Sequence, residues 1–491
     1  MKGNETIEEQ EIELLHDAVE KSEKKIGYRI VQSEVNKKTI SIVEEFIIRK
    51  KLICYGGTAI NNILPKKAQF YNKNYELPDY DVFSMNAIED AKELTNIFFK
   101  QGFENVETRA AMNAGTYKVY VNFYGVADIT YLDPKLYNIF IKKGITHDHI
   151  HYSPVNFLRM EMYKELSRPQ SEISRWEKVF KRLNLLNKYF PIHNKGDSCH
   201  QHQHQGQHDK IEFMRNFKGN PETGDQVYDI LINCFIKEEV VFIGAYATHL
   251  YTNRMSHMSD KESTKNHHHI PDFDVLAINA KKTVEDIKEK LLKHGLKNII
   301  VEKKNELWKI IPVHYEISIG KDKVCVVYET IACHSYNKIK ENGKEIKIAS
   351  IDTMLSFLLA FLFKDNKYYD ETRIMCMAEY LMQVQYENRL KSKGIFKRFS
   401  VNCYGTQQTI EKMREIKAEK FRILKNNKQS KEYQKYFLRY NPLENLEHRK
   451  HELKKTLKKK KKIAEKVLIK KTNKKRTLKN KLLEKIINPF L

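Results

Sequence analysis

Apolar and polar positions along this chain repeat with two different periods, and each change of period marks an element. Val35, Ile40, Val43, Phe46 and Ile47 recur at helical spacing, closing a helical stretch that covers residues 1 to about 50. A short apolar strand, Leu52 to Tyr55, comes next, followed by a Gly56-Gly57 turn and a short helix opening at Thr58. Leu77-Pro78-Asp79-Tyr80-Asp81-Val82-Phe83-Ser84 then reads as a second strand, with both aspartates on one face because side chains at i and i+2 point the same way. Ala87 to Lys100 forms an amphipathic helix, and Gly102 is placed to cap its C-terminus. Strands are predicted at Val106–Arg109, Tyr117–Phe123 and Val126–Leu132, and residues 154 to 189 return to a helical pattern.

The same order recurs. Val241-Phe242-Ile243-Gly244-Ala245-Tyr246-Ala247 echoes Ile53-Cys54-Tyr55-Gly56-Gly57-Thr58-Ala59, and Ile270-Pro271-Asp272-Phe273-Asp274-Val275 echoes Leu77-Pro78-Asp79-Tyr80-Asp81-Val82. In both copies 21 positions separate the second aspartate from the glycine that ends the next helix, Asp81 to Gly102 and Asp274 to Gly295. Glu316-Ile317-Ser318 lines up with Asp128-Ile129-Thr130, and 350–381 with 153–189. An internal repeat of this kind predicts two copies of one domain.

Composition narrows the class. At 491 residues the chain can hold several domains, and 41% hydrophobic with 11% aromatic residues describes a folded protein. A formal charge of +24 favours a polyanionic partner. Seven scattered cysteines with no C-x-x-C predict a reducing compartment, with neither a disulfide frame nor a cysteine zinc site. The acidic N-terminus reads as neither a signal nor a transit peptide. The longest apolar run, Met354 to Phe363, is too short for a membrane span of about 20 residues and is expected to be a buried helix.

The chemistry lies in the first copy. Glycines at a strand-to-helix turn offer backbone N–H groups to phosphates. Asp79 and Asp81 supply two carboxylates for divalent metal, and Asp128, mid-strand between apolar Ala127 and Ile129, is the expected third. Asp133, before Pro134, reads instead as a strand-terminating turn. Neither the P-loop nor the dinucleotide glycine pattern is present.

This ordered set resembles the DNA polymerase β-like nucleotidyltransferase superfamily. Tyr-Gly-Gly-Thr-Ala-Ile-Asn (55–61), Pro-Asp-Tyr-Asp-Val-Phe-Ser (78–84), Val-Ala-Asp-Ile-Thr (126–130) and Ser-Arg-Trp-Glu-Lys-Val-Phe-Lys-Arg-Leu (174–183) are similar to the poly(A) polymerase catalytic subunit of large DNA viruses, the giant-virus form especially. The resemblance covers roughly residues 40–190. It implies an α+β fold and template-independent extension of an RNA 3′ end from ATP with Mg²⁺ or Mn²⁺. By carry-over, Gly56, Gly57 and Thr58 contact the triphosphate, Asp79, Asp81 and Asp128 bind metal, and Lys164, Trp176 and Lys178 contact nucleotide or RNA. It further implies a homodimer or a separate processivity subunit, and a place in the viral factory of the host cytoplasm with packaging in the virion as a further expectation.

The second copy keeps Asp272, Asp274 and, by this alignment, Glu316, but has Ala245 and Tyr246 where phosphate should approach closely. Its longer loop carries His267, His268 and His269. The expected division is therefore a helical region (1–50), a catalytic domain (51–192), a His/Gln-rich linker (193–224), a degenerate second domain (225–388), a C-terminal region (389–448) and a Lys-rich tail (449–491). Rival readings are an oligoadenylate synthase-like or CCA-adding transferase, and a silent RNA-binding scaffold.

Between Arg449 and Lys485 stand 18 Lys/Arg against 3 acidic residues, about +15 of the total. Removing 449–491 is expected to weaken RNA binding and flatten its salt dependence, since fewer counterions are released. Unchanged affinity at low and high salt would contradict this.

Overall fold

The computed structural model describes residues 6–192, 214–216, 221–252, 254–255, 269–271, 273–341, 343–364, 371–444, 446 and 455–458. Most of the His/Gln-rich linker and of the Lys-rich tail lies outside them. Two helices open the chain, α1 (Ile7–Gln32) and α2 (Glu34–Lys50), where the sequence pattern predicted one continuous stretch. The break comes at Ser33, whose ψ of 129° is not helical. Thr6 and Glu9 form a capping box on α1, which buries only Val31, whereas α2 buries Thr39, Ile42, Val43, Phe46 and Ile47.

The first half continues with β1 (Ile53–Tyr55), α3 (Gly56–Ile63), β2 (Tyr80–Ser84), α4 (Ala87–Lys100), β3 (Val106–Ala110), β4 (Thr116–Val121) and β5 (Tyr124–Tyr131). After these come α5 (Pro134–Lys143), β6 (Ile145–His147), β7 (Ile150–Tyr152), α6 (Val155–Leu166) and α7 (Trp176–Tyr189). The helix predicted at 87–100 is found there. Asp133 is more than a turn: its carboxylate caps α5 by accepting from the Lys135 N–H, with Pro134 in the first helical turn.

In the second half lie β8 (Met214–Asn216), α8 (Pro221–Lys237), β9 (Val241–Ile243), α9 (Gly244–Thr252), β10 (His269–Pro271), β11 (Phe273–Ala277) and α10 (Ala280–Lys293). They are followed by β12 (Ile299–Lys304), β13 (His314–Ile319), β14 (Asp322–Glu329), β15 (His334–Glu341), β16 (Lys344–Ala349), α11 (Ile351–Phe361) and α12 (Glu371–Glu387). The C-terminal region adds β17 (Cys403–Tyr404), α13 (Ile410–Leu424), α14 (Lys431–Phe437) and β18 (Arg439–Tyr440).

The duplication is plain in the two eight-stranded sheets. The first runs β18-β3-β4-β5-β2-β1-β7-β6 and the second β12-β13-β14-β11-β9-β16-β15-β17. In each, the strand with the central aspartate pairs antiparallel with the strand before the glycine helix and parallel with the strand on its other side. The C-terminal region ties the two halves together, with β17 at the edge of the second sheet and β18 at the edge of the first. One expectation about cysteine fails here. Cys333, just before β15, and Cys403 of β17 are joined in a disulfide where these two strands pair.

Helices α6 and α11, which occupy the same place in each half, pack against each other. All of α11 is buried, as its largely apolar run predicts. Phe140 and Phe157 of the first half close on Phe363 of the second at ring distances of 5.3 and 5.8 Å, and Trp308 meets Phe83 at 5.6 Å. Arg159 on α6, 1% exposed, holds α7 through Asn187 at 2.8 Å and through the Phe190 carbonyl. Its guanidinium is pulled down to about 10 by burial. No described helix is long and apolar enough to cross a membrane.

Since Phe363 fills the junction of the halves, Phe363→Ala is expected to cost about 3–5 kcal/mol of stability in denaturant unfolding. A loss below about 1 kcal/mol would mean that the junction is not a shared core.

Candidate active site

The site is built where β1 turns directly into α3. The sequence predicted a glycine turn and a helix from Thr58, but the helix starts at Gly56, so both glycines form its first turn. Gly56 has φ +72°, a conformation that L side chains rarely adopt, and a Cβ there would lie 2.5 Å from Asp81 Oδ2. A Cβ on Gly57 would meet the Tyr71 hydroxyl at 2.8 Å and Arg182 Nη1 at 2.9 Å. The absence of side chains lets the helix start lie against the carboxylate, and the amide donors of a first turn have no partner within their own helix. The Thr58 hydroxyl is committed elsewhere, donating to the Asp79 carbonyl at 2.5 Å. It therefore locks the glycine turn to the acidic segment.

Strand β2 begins at Tyr80, so Asp79 lies just outside it and is exposed, while Asp81 within it is partly buried. Parallel pairing sets Asp81 directly opposite Asp128 on β5, as predicted for the third acid. Antiparallel pairing then places Lys118 of β4 opposite Asp128, with Nζ 2.5 Å from Oδ2. Burial pushes the Asp81 carboxyl up to about 7, and the charges of Asp79 and Asp128 add to the rise against opposition from Lys118 and Arg175. Asp128 is also raised, by burial first, with Lys118 pulling the other way.

The charges of Asp79 and Asp128 disfavour ionisation of Asp81, a repulsion that a divalent cation would relieve. Among the described residues no three His, Cys, Asp or Glu side chains converge as a closed ligand group, and Asp128 is engaged by Lys118. The donor chemistry fits a metal, and the lysine holds the place of positive charge beside it.

Gly56, Gly57, Thr58, Asp79, Asp81, Asp128, Lys164 and Lys178 all line one cleft of about 660 Å³. Lys164 is paired with Glu161 and lowered mainly by burial. Trp176 is not among the lining residues: its indole N–H donates to the Glu165 carbonyl at 3.1 Å and its ring lies by Phe399, so it secures α7. Sequence reasoning missed Arg175 and Arg182, although with Lys178 they follow i, i+3, i+7 spacing on one helix face. The charge of Arg182, with burial and Arg175, lowers the Lys178 ammonium. Arg182 is held over Phe70 at 4.8 Å and donates to the Tyr71 hydroxyl at 2.5 Å. Such a cationic face suits phosphates.

The second half repeats the frame without the paired acids. Gly244 has φ +70°, and a Cβ there would lie 2.4 Å from Asp274 Oδ2. The residue opposite Asp274 on the parallel neighbour is Val326, where the first half has Asp128. Glu316 therefore does not correspond to Asp128, contrary to the sequence alignment. It sits on β13 opposite Val326, in the place of Lys118, and pairs with Lys323 at 2.8 Å. Local similarity of Glu-Ile-Ser to Asp-Ile-Thr had shifted the alignment by one strand. Tyr246, at the position of Thr58, is buried against Phe242 and Phe273. Asp272, His267 and His268 lie outside the described residues.

Sheet order, glycine helix start and acid placement together define a polymerase β-like nucleotidyltransferase fold. Residues 41–172 match the family model of the poly(A) polymerase catalytic subunit. A protein of African swine fever virus (strain Badajoz 1971 Vero-adapted), named as a candidate poly(A) polymerase catalytic subunit, is 35% identical over 159 residues, 31% of this chain and 33% of its own length. One of Acanthamoeba polyphaga mimivirus, named likewise, is 31% identical over 187 residues, 37% of this chain and 31% of its own. The aligned part of the chain thus spans about a third of the length of these curated relatives. The crystal structure of the Megavirus polyadenylate synthase shares the fold with a TM-score of 0.74 at 19% identity, covering 93% of this chain and 91% of that one.

Gly56→Ala forces both a strained φ and a clash with Asp81. The expected result is a destabilisation of about 1–2 kcal/mol, with loss of any activity that needs the Asp81 carboxylate. Asp81→Asn removes a carboxyl whose ionised form is disfavoured in the fold. Without metal it is expected to stabilise the protein above pH 7, where wild-type Asp81 is charged, and to change little near pH 4. Thermal melts across pH check both, and a destabilised Asp81→Asn at pH 8 would contradict the electrostatic account.

Proposed function

We propose that this chain is a polynucleotide adenylyltransferase that extends RNA 3′ ends with AMP from ATP, without a template. The observation that carries the reading is the Asp81–Asp128 register beside a glycine helix start, within a segment that matches the poly(A) polymerase catalytic subunit family model.

The α3 first turn and the Arg175, Lys178 and Arg182 face hold the triphosphate against the acids. Asp79, Asp81 and Asp128 would bind Mg²⁺ or Mn²⁺, which supplies a lowered pKa for the attacking 3′-hydroxyl and charge neutralisation at the phosphates. The 3′-oxygen forms its bond to the α-phosphorus as the bond to the bridging β-phosphate oxygen breaks, the hydroxyl proton is lost, and pyrophosphate leaves. Thr58 and the β2–β5 pairing keep the carboxylates in place throughout. Lys118 balances the negative charge at Asp128 before and after turnover. RNA is the second substrate, and the chain acts as a homodimer or with a separate processivity subunit.

Purified protein, a labelled RNA primer, Mn²⁺ and each of the four nucleoside triphosphates test this. Long products from ATP that require the primer are expected. No extension from any nucleotide overturns the reading, and short oligomers made without primer would instead indicate a synthase.

Because an Asp81 carboxyl near 7 must lose its proton to bind metal, Mn²⁺ affinity is expected to fall by up to about tenfold per pH unit below 7. Titration calorimetry at pH 5.5, 6.5 and 7.5 measures this, and a pH-independent affinity would contradict it.

A further inference from the structure

Most neutral polar side chains that face the catalytic cleft are already spoken for. The Tyr55 hydroxyl is bonded to Thr130 at 2.9 Å, Thr58 to the Asp79 carbonyl, Tyr71 to Arg182, and Ser171 to the Arg168 carbonyl at 2.7 Å. Two cleft-lining side chains differ: Arg168 Nε and Gln407 Oε1 are each buried and make no hydrogen bond. Glu165 Oε1, by contrast, is ion-paired with Arg175 Nε at 3.3 Å. A buried donor or acceptor left without a partner is unfavourable, so such groups in a cleft mark where a ligand supplies the partner.

The placement of Gln407 is over-determined. It comes from the C-terminal region, which reaches the cleft by leaving the second sheet at β17. Gly405, at φ +91°, makes the turn, and a Cβ there would lie 2.3 Å from the Ala332 carbonyl. On the other side, Lys417 of α13 donates to the carbonyl of Ala111, itself a lining residue, at 2.8 Å. Residues 405–417 are thus pinned across the cleft from both ends.

We propose that Gln407 reads the exocyclic amino group of the incoming base, with Arg168 on the neighbouring ring nitrogen, and so selects adenine. This deepens, and rests on, the nucleotidyl-transfer reading above. The orphaned pair is one acceptor, Gln407 Oε1, and one donor, Arg168 Nε. Adenine complements it, with two N–H donors on its 6-amino group beside ring nitrogens that accept. Guanine and hypoxanthine put a carbonyl oxygen at that position, setting acceptor against acceptor in a buried place. Uracil presents carbonyl oxygens in the same way. Cytosine shares the amino-beside-acceptor pattern, and the shorter reach of its single ring leaves it further from the wall.

The cleanest probe is inosine triphosphate, which replaces the adenine amino group with oxygen and changes little else in shape. With a labelled RNA primer, kcat/KM for ATP and for inosine triphosphate is measured in the wild-type protein, Gln407→Ala and Gln407→Glu, each checked for folding by thermal melting. The wild type is expected to prefer ATP, and Gln407→Ala to shrink that preference roughly tenfold, the worth of one buried hydrogen bond. Gln407→Glu keeps an acceptor and is expected to retain most of the preference. The assignment is overturned if Gln407→Ala keeps the wild-type ratio, or if it loses both nucleotides in equal proportion. A wild-type protein that extends primers with no nucleotide at all overturns the transferase reading itself, and this inference with it.

Discussion

Everything at the candidate site depends on one close approach, the start of α3 lying directly against the Asp81 carboxylate. The approach exists only because Gly56 takes φ +72° and carries no Cβ. Parallel β2–β5 pairing then brings Asp128 alongside, and the exposed Asp79 adds a third negative charge. Concentrating like charges in a partly buried place is unfavourable, and the rise of the Asp81 carboxyl expresses that cost. Lys118 and Arg175 offset part of it. The fold, through its sheet pairing and the Thr58 bond, holds the acids where they would not gather unaided. A site strained in this way gains most from a cation and a triphosphate, which fits the proposed chemistry.

The second half keeps the frame and differs from the first at the positions that shape this geometry. It keeps the strand order and the glycine contact with Asp274, but Val326 stands at the Asp128 position and a buried aromatic at that of Thr58. What remains is a frame. Its helix α11 backs α6, Phe363 and Trp308 pack under the catalytic sheet, and β17 delivers Gln407 to the cleft. The duplicated half thus supports the first, and the C-terminal region anchored on its sheet edge supplies one wall.

Much of this was legible in the sequence wherever local rules suffice. Ala87 to Lys100 has helical spacing and a glycine stop, and its bounds follow from those alone. β4 and β5 overlap the strands expected at Tyr117–Phe123 and Val126–Leu132, and the place of Asp128 between two apolar neighbours was enough to put it on the sheet face beside Asp81. Register between distant strands was less accessible. Glu316 was matched to Asp128 by its neighbours in sequence, while the hydrogen-bonded ladder puts it one strand away. Gln407 and Arg168 carry no local signal either, since their roles come from a segment about 240 residues later folding back onto α6. Arg175 and Arg182 could have been found, because their spacing with Lys178 is helical.

The central claim is that catalysis belongs to the first half and that the second is a frame without a third acid. The most direct measurement is primer extension with ATP and Mn²⁺ by two matched proteins, Asp81→Asn and Asp274→Asn. Both residues sit against a positive-φ glycine in the same place of the same sheet, so structural damage should be comparable. The account predicts that Asp81→Asn lowers the rate by at least about a hundredfold while Asp274→Asn stays within about threefold of wild type. An inactive Asp274→Asn beside an active Asp81→Asn would contradict it.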